Sequence, residues 1–230
     1  MKILEWLPRE SACDYAARVI LYNIVHLELP PGSEVSSTKL SEELSVSRMP
    51  VREALGTLSR TGLVQVLPQR GTYVSKINYD LVEESRFMRL VLEISVAKLA
   101  CQGISPRYLG ELRENLERYR LAQEDHDRRL EIDNEFHRLI FASVNKSWTY
   151  GKLQDQMVHF DRLRRLSLAS VPERTSDILK DHEDILYAIT RHDGEMAELL
   201  LTRHLSRDEK AIAGVMEQYP DYFVQQRSVG

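Results

Sequence analysis

The chain has 230 residues, 43% hydrophobic and 29% charged, which is enough apolar material for one or two folded domains and excludes a disordered chain. Its formal charge of −4 is unevenly spread: residues 1–78 hold nine Lys and Arg against eight Asp and Glu, net +1, and the remainder holds 22 against 27, net −5. Cys13 and Cys101, the only cysteines, exclude a disulfide framework and a thiolate zinc cluster.

The first residues are broken by Glu5 and Pro8 before a signal-peptide core could form, and no apolar run approaches transmembrane length. A cytoplasmic protein with reduced thiols and no membrane partner is expected. Ala16, Val19, Ile20, Ile24 and Leu27 recur near a 3.6-residue period, predicting a helix from Ser11 to Leu29 that Pro30-Pro31-Gly32 stops. A short strand at Val35–Ser37 and a helix at Thr38–Leu44 follow, with Ser45-Val46 as a tight turn.

Ser47 is suited to cap the next helix by accepting a backbone N–H, and Pro50 falls in its first turn, where a missing donor costs nothing. Arg48 and Arg52, four apart, share one face near that N-terminus, where two guanidinium forks can reach guanine edges or phosphates. Val51, Leu55 and Leu58 form the apolar face. Two helices, a turn and a basic third helix make a helix-turn-helix. The β-rich runs Leu63–Leu67 and Thr72–Val74 then predict a hairpin wing with Gln69-Arg70-Gly71 at its tip. Arg70 suits a narrow minor groove, and Gly71 serves either a close backbone approach or a turn of positive φ. From Ser47 to Lys76 the cations Arg48, Arg52, Arg60, Arg70 and Lys76 face only Glu53, the local positive patch of a nucleic-acid reader.

The predicted organisation is a DNA-binding domain at 1–76, a linker at 77–80, a helical domain at 81–218 and a loosely held tail at 219–230. The fold class is mainly α, a winged helix-turn-helix followed by an antiparallel bundle of six or seven helices. The bundle helices are predicted at Leu81–Gln102, Pro106–Glu124, Asp127–Val144, Trp148–Ala169, Glu173–His192 and Gly194–Gln218, with breaks that include Val171-Pro172.

Asp133 and His137 leave one face of the third bundle helix a turn apart, and His182 and His204 each border an apolar stripe on a later helix. One carboxylate and three imidazoles suit a borderline divalent ion, with zinc first and nickel or manganese as alternatives. Taken singly, each histidine is as readily an interior group with a protein partner. His26, His126, His159 and His192 stay in that class, His159 being the nearest to a stray ligand. Arg89 and Glu93, four apart, read either as a surface ion pair or as a buried arginine poised to clamp a carboxylate.

With these residues in hand, the chain resembles the GntR family of transcriptional regulators, in the FadR subfamily with an FCD effector domain. The resemblance rests on residues 47–55, on Gly62-Leu63-Val64, on the wing Arg70–Val74, and on Arg89, Glu93, Asp133, His137, Asn145, His182 and His204. It implies a homodimer on a palindromic operator, with Ser47, Arg48 and Arg52 in the major groove and Arg70 and Gly71 in the minor groove. It also implies a metal on Asp133, His137, His182 and His204, and a small organic carboxylate touched by Arg89 and Asn145. Thr38-Lys39 stand where relatives often carry arginine, so the contact from that helix differs. A regulator, most simply a repressor, and not an enzyme, is expected. The alternatives are a metallohydrolase built on the Asp/His quartet, against which no His-Glu-x-x-His base is present, and a metal-free acyl-CoA-responsive regulator.

Overall fold

The computed structural model describes residues 1–122, 125–170, 175–206 and 209–225, and divides into two compact units: residues 1–79 with 216–230, and residues 80–215. The predicted break at Val171-Pro172, the predicted helix ends at Glu124 and Glu173, and the last five residues lie outside the described residues.

In the first unit, α1 spans Ala12–Val25, capped by the Ser11 hydroxyl, which accepts the Asp14 N–H at 3.1 Å. It ends earlier than its apolar period suggests, because Leu27 turns left-handed at φ 62° and the Leu29 N–H returns to the Asn23 carbonyl at 3.0 Å. α2 covers Ser37–Leu44 and α3 covers Arg48–Arg60. Between them Ser45 is left-handed at φ 53°, and the Ser41 hydroxyl donates to the Val46 carbonyl at 2.7 Å, locking the turn. Val19, Ile20, Ile24, Leu40, Leu44, Val51 and Leu55 bury the apolar faces of the three helices against one another, each contributing roughly 1.5–3 kcal/mol of burial free energy as an upper estimate.

β1, Val64–Leu67, and β2, Gly71–Val74, form the predicted antiparallel hairpin, with Val64 opposite Val74 and Leu67 opposite Gly71. In place of the predicted strand at Val35–Ser37, a single bridge joins Glu34 to Tyr73, and the Val35 N–H donates to the Thr72 carbonyl at 2.7 Å.

Two further segments belong to this unit. Residues 1–10 run along α1: the Lys2 N–H donates to Asn23 Oδ1 at 2.7 Å, Asn23 Nδ2 donates to the Lys2 carbonyl at 2.8 Å, and Trp6 stacks on Tyr15 at 4.1 Å. Residues 219–225 differ from the loose tail expected. Pro220–Tyr222 forms a 3-10 turn, and Phe223 pairs in parallel with Ile77, the Ile77 N–H donating to the Tyr222 carbonyl at 2.8 Å and the Val224 N–H to the Ile77 carbonyl at 3.0 Å. Ile77 is fully buried, so the start of the expected linker is core.

The second unit is helical: α4 Tyr79–Gln102, α5 Pro106–Leu121, α6 His126–Ser143, α7 Ser147–Gln156, α8 Val158–Ser170, α9 Thr175–Thr190, α10 Gly194–Ser206 and α11 Glu209–Gln218, whose last residues belong to the first unit. These are eight helices among the described residues rather than six or seven. The predicted helix Trp148–Ala169 is broken at Met157 without glycine or proline. A tertiary contact meets the break: the Ser85 hydroxyl, from α4, is shared between the Leu81 carbonyl at 2.6 Å and the Gln156 carbonyl at 2.7 Å, an acceptor that the break frees. Packing is local in pattern, α5 against α6 and α9, and α9 against α10. No helix among the described residues is long and apolar enough to cross a membrane.

Candidate functional site

Three helices of the second unit converge on one buried point. α6 presents Asp133 and His137, α9 presents His182 and α10 presents His204, and one ligand atom from each lies within 4.8 Å of all the others. His182 Nε2 is 3.3 Å from both Asp133 Oδ1 and His204 Nε2, and His204 Nε2 is 3.3 Å from His137 Nε2. His137 Nε2 is 4.0 Å from Asp133 Oδ1.

The far sides of two rings fix this aim. His137 Nδ1 lies 2.6 Å from Glu93 Oε2, and His204 Nδ1 lies 3.4 Å from Asp181 Oδ2. With a proton on each Nδ1, facing its carboxylate, the Nε2 lone pairs would point at one another. His182 is held differently, by stacking on Phe136 at 4.0 Å, and its Nδ1 has no hydrogen-bond partner among the described residues.

Burial pushes all three imidazoles below their ordinary range, against the pull of Glu93 on His137, Asp133 on His182 and Asp181 on His204. Burial acts on the Asp133 carboxyl in the opposite sense, but Arg164, with His182 and His137 facing the group, outweighs it and holds it well below the usual carboxylate range. Three neutral imidazoles and one carboxylate are a metal-ligating donor set. Imidazole nitrogens 3.3 Å apart need a shared proton or a cation between them. That spacing is also the edge of a tetrahedron with zinc–nitrogen bonds of about 2.0–2.1 Å, whose edge is about 1.6 times the bond length. The residues fit a metal ion.

Around the quartet sits a charged collar. Arg89 is buried on α4, its Nε 2.6 Å from Glu93 Oε1 and a guanidinium nitrogen 3.9 Å from Asp133 Oδ2; the surface ion pair is excluded. Burial pushes the Glu93 carboxyl up, but Arg89 and His137 bring it down to about 2. Arg164 of α8, which the sequence reading missed, donates to Asp133 Oδ2 and, at 2.8 Å, to Asn134 Oδ1. The signal available was three arginines, Arg162, Arg164 and Arg165, within one turn and interleaved with Phe160, Leu163 and Leu166. Asp181, also missed, is fully buried and is joined by Arg203 at 2.7 Å.

Asn145 is not brought to the cluster. It is exposed, beyond the end of α6, and its left-handed φ of 61° explains its type as a turn residue. The effector contact implied for it lacks support from its position. His159 also stands apart, 2.7 Å from Arg162 and pushed down to about 4 by burial and that arginine. His26 and His192 each bond a backbone carbonyl, at 2.8 and 2.7 Å, as structural histidines do.

On the first unit, Ser47, Arg48 and Arg52 are exposed at the N-terminal end of α3, with Met49 61% exposed between the arginines. Ser47 holds the N-cap position with extended backbone, but its side chain makes no cap hydrogen bond, so the capping expected of it is absent. Lys39 is exposed and 3.9 Å from Glu43, beside the half-buried Thr38. At the wing tip Gln69 is left-handed, Arg70 is exposed, and the Tyr73 hydroxyl donates to the Arg70 carbonyl at 2.8 Å. Gly71 has φ 121°, and a Cβ there would lie 3.2 Å from Glu34 Oε1, so the turn alone requires glycine.

A helix-turn-helix with a wing and an outward basic face defines a DNA-binding protein, here carried with a helical domain that encloses an ionic site. Residues 16–74 match the bacterial regulatory proteins of the gntR family, and residues 84–207 match the FCD domain. The HTH-type transcriptional repressor RspR of Escherichia coli (strain K12) is 32% identical over 220 residues, covering 94% of this chain and 95% of that protein. Among solved structures, E. coli McbR/YncC superposes with a TM-score of 0.74 at 23% identity, over 91% of this chain and 99% of that one. A putative GntR regulator from Rhodococcus sp. RHA1 gives 0.66 at 25% identity, over 91% and 100%. The chain belongs to the GntR family of transcriptional regulators with an FCD domain. It is a DNA-binding regulator and not an enzyme.

Proposed function

We propose that this regulator is a cytoplasmic, ligand-responsive repressor of the FadR subfamily, acting as a homodimer on a palindromic operator. Its DNA affinity is set by a small organic carboxylate at a divalent metal, zinc first, on Asp133, His137, His182 and His204. The observation that carries this reading is the convergence of three histidine Nε2 atoms and one carboxylate in a fully enclosed site. When bound, the ion supplies a charge that an anion can meet.

The charge balance favours an anionic effector. Arg89 and Arg164 face Glu93, Asp133 and the more distant Asp161, 3.7 Å from Arg164, for a net of −1 with all ionised. Asp181 is already matched by Arg203. A divalent ion turns the site to +1, and one carboxylate restores neutrality where unpaired charge is costly. Arg89 is the guanidinium placed to share it. Dimer formation is supported by α4, whose Phe87, Val91 and Leu99 are exposed on one side at four- and eight-residue spacing. In the head, Ser47, Arg48, Arg52, Arg70 and Gly71, with Thr38 and Lys39 beside them, would face the duplex.

The test is elemental analysis of protein purified without chelator, beside His182→Ala. About one metal per chain, lost in the variant, is expected, followed by thermal stabilisation in a screen of small carboxylates. Absence of metal from both proteins would remove the metal-centred reading and leave the DNA-binding one.

A further inference from the structure

The two connections of the helical unit end at the same place. At one end, Ile77 lies two residues before α4, the helix that carries Arg89 and Glu93. At the other, α10 carries His204, and the chain runs through α11 to Phe223. Ile77 and Phe223 then pair, with hydrogen bonds of 2.8 and 3.0 Å, both side chains nearly or fully buried within the DNA-binding unit. Residues 80–215 are thus closed as a loop between two hydrogen-bonded partners of the head. Both partners fall outside the matched family segments, 16–74 and 84–207.

We infer that the segment Tyr219–Val224 is a regulatory strap: paired with Ile77, it is the second of two connections through which the occupancy of the Asp/His cluster reaches the DNA-reading head. The physical reason is closure. A single connection leaves a head free to swivel about one point, whereas two connections joined to each other pass a displacement of α4 against α10 directly to the bridge. A folded helical unit also keeps the strap close to its partner, at an effective concentration that a loosened unit cannot sustain. Ordering three ligand-bearing helices around an ion therefore tightens the bridge.

This rests on the metal reading above, so the experiment separates the two. Amide hydrogen exchange at Ile77 and Val224 is measured on the full chain with zinc and with chelator, with bound zinc counted in the same samples. Exchange slowed on the order of tenfold by zinc supports the strap. Zinc bound without change at these two amides overturns it. A chain that holds no zinc fails the metal reading instead, and the strap is then decided by Phe223→Ala without metal. That variant is expected to speed exchange at Ile77 and weaken binding to a duplex selected from a random pool severalfold, while Trp6 fluorescence, read in a Trp148→Phe background, reports a folded head. Unchanged exchange and affinity in Phe223→Ala would sink the proposal.

Discussion

Arg52 and Arg164 both sit on short helices, and the two halves of the molecule use them in opposite ways. Arg52 is exposed on α3 beside Arg48, with its charge open to solvent. Arg164 is buried on α8 and spends its donors on Asp133 and Asn134, about thirty residues away. An outward cation costs the fold little and serves a polyanion; an inward one must be matched by the fold itself. The same contrast holds for the carboxylates, Glu53 being exposed on the head and Glu93 enclosed between Arg89 and His137.

Substitution of these two arginines is the sharpest way to break the comparison. Arg164→Met, measured by urea unfolding in chelator, is expected to destabilise the helical unit by about 3–5 kcal/mol, because Asp133 loses its main counter-charge. A loss below about 1 kcal/mol would show that the collar is not a matched network. Arg52→Met is expected to leave stability within about 0.5 kcal/mol and to weaken duplex binding by about 1–3 kcal/mol, with the salt slope reduced by about one. Titrations at several salt concentrations test this, and an unchanged slope would place Arg52 away from phosphates and bases.

The serines give a smaller contrast inside the head. Ser11 spends its hydroxyl on the Asp14 N–H and carboxylate, whereas Ser47 makes no cap bond. Ser11→Ala should lower stability by about 1 kcal/mol and leave DNA binding alone. Ser47→Ala should leave stability within a few tenths of a kcal/mol and weaken DNA binding, the outcome of a hydroxyl reserved for a phosphate.

Smallest is a pH effect. Arg18 holds the Glu10 carboxyl at about 2, chiefly through their hydrogen bond, against an ordinary 4.5. A lowered folded value means the contribution is fully present above 4.5 and is lost as pH falls towards 2. Glu10→Gln should flatten head stability across that window, as followed by Trp6 fluorescence in a Trp148→Phe background. An unchanged profile would assign the acid sensitivity to other groups.

Local signals carried much of the architecture. Ser11, Ser105 and Asp125 each cap the helix that follows, and the hairpin lies where β-rich runs flank a turn. The Asp133–His137 spacing marks one face of a helix, and the two later histidines border apolar stripes, so the quartet could be assembled on paper. Contacts between distant segments were not legible. The break at Met157 is met by Ser85, 71 residues away from Gln156. Arg164 reads as a solvated cation until α6 is packed against α8. The pairing of Phe223 with Ile77 leaves no mark in either segment, since one parallel bridge needs neither a turn nor an alternating pattern.

The uneven support of the three imidazoles bears on rates as well as on affinity. His137 and His204 are each oriented by a carboxylate before any ion arrives, whereas the His182 ring is held by its stack on Phe136 and faces no acceptor at Nδ1 among the described residues. Turning that ring in its own plane breaks no hydrogen bond on its far side. If the cluster holds an ion, His182 is the residue with the least support behind its ring, and the ion's exchange rate would follow how tightly Phe136 holds that ring.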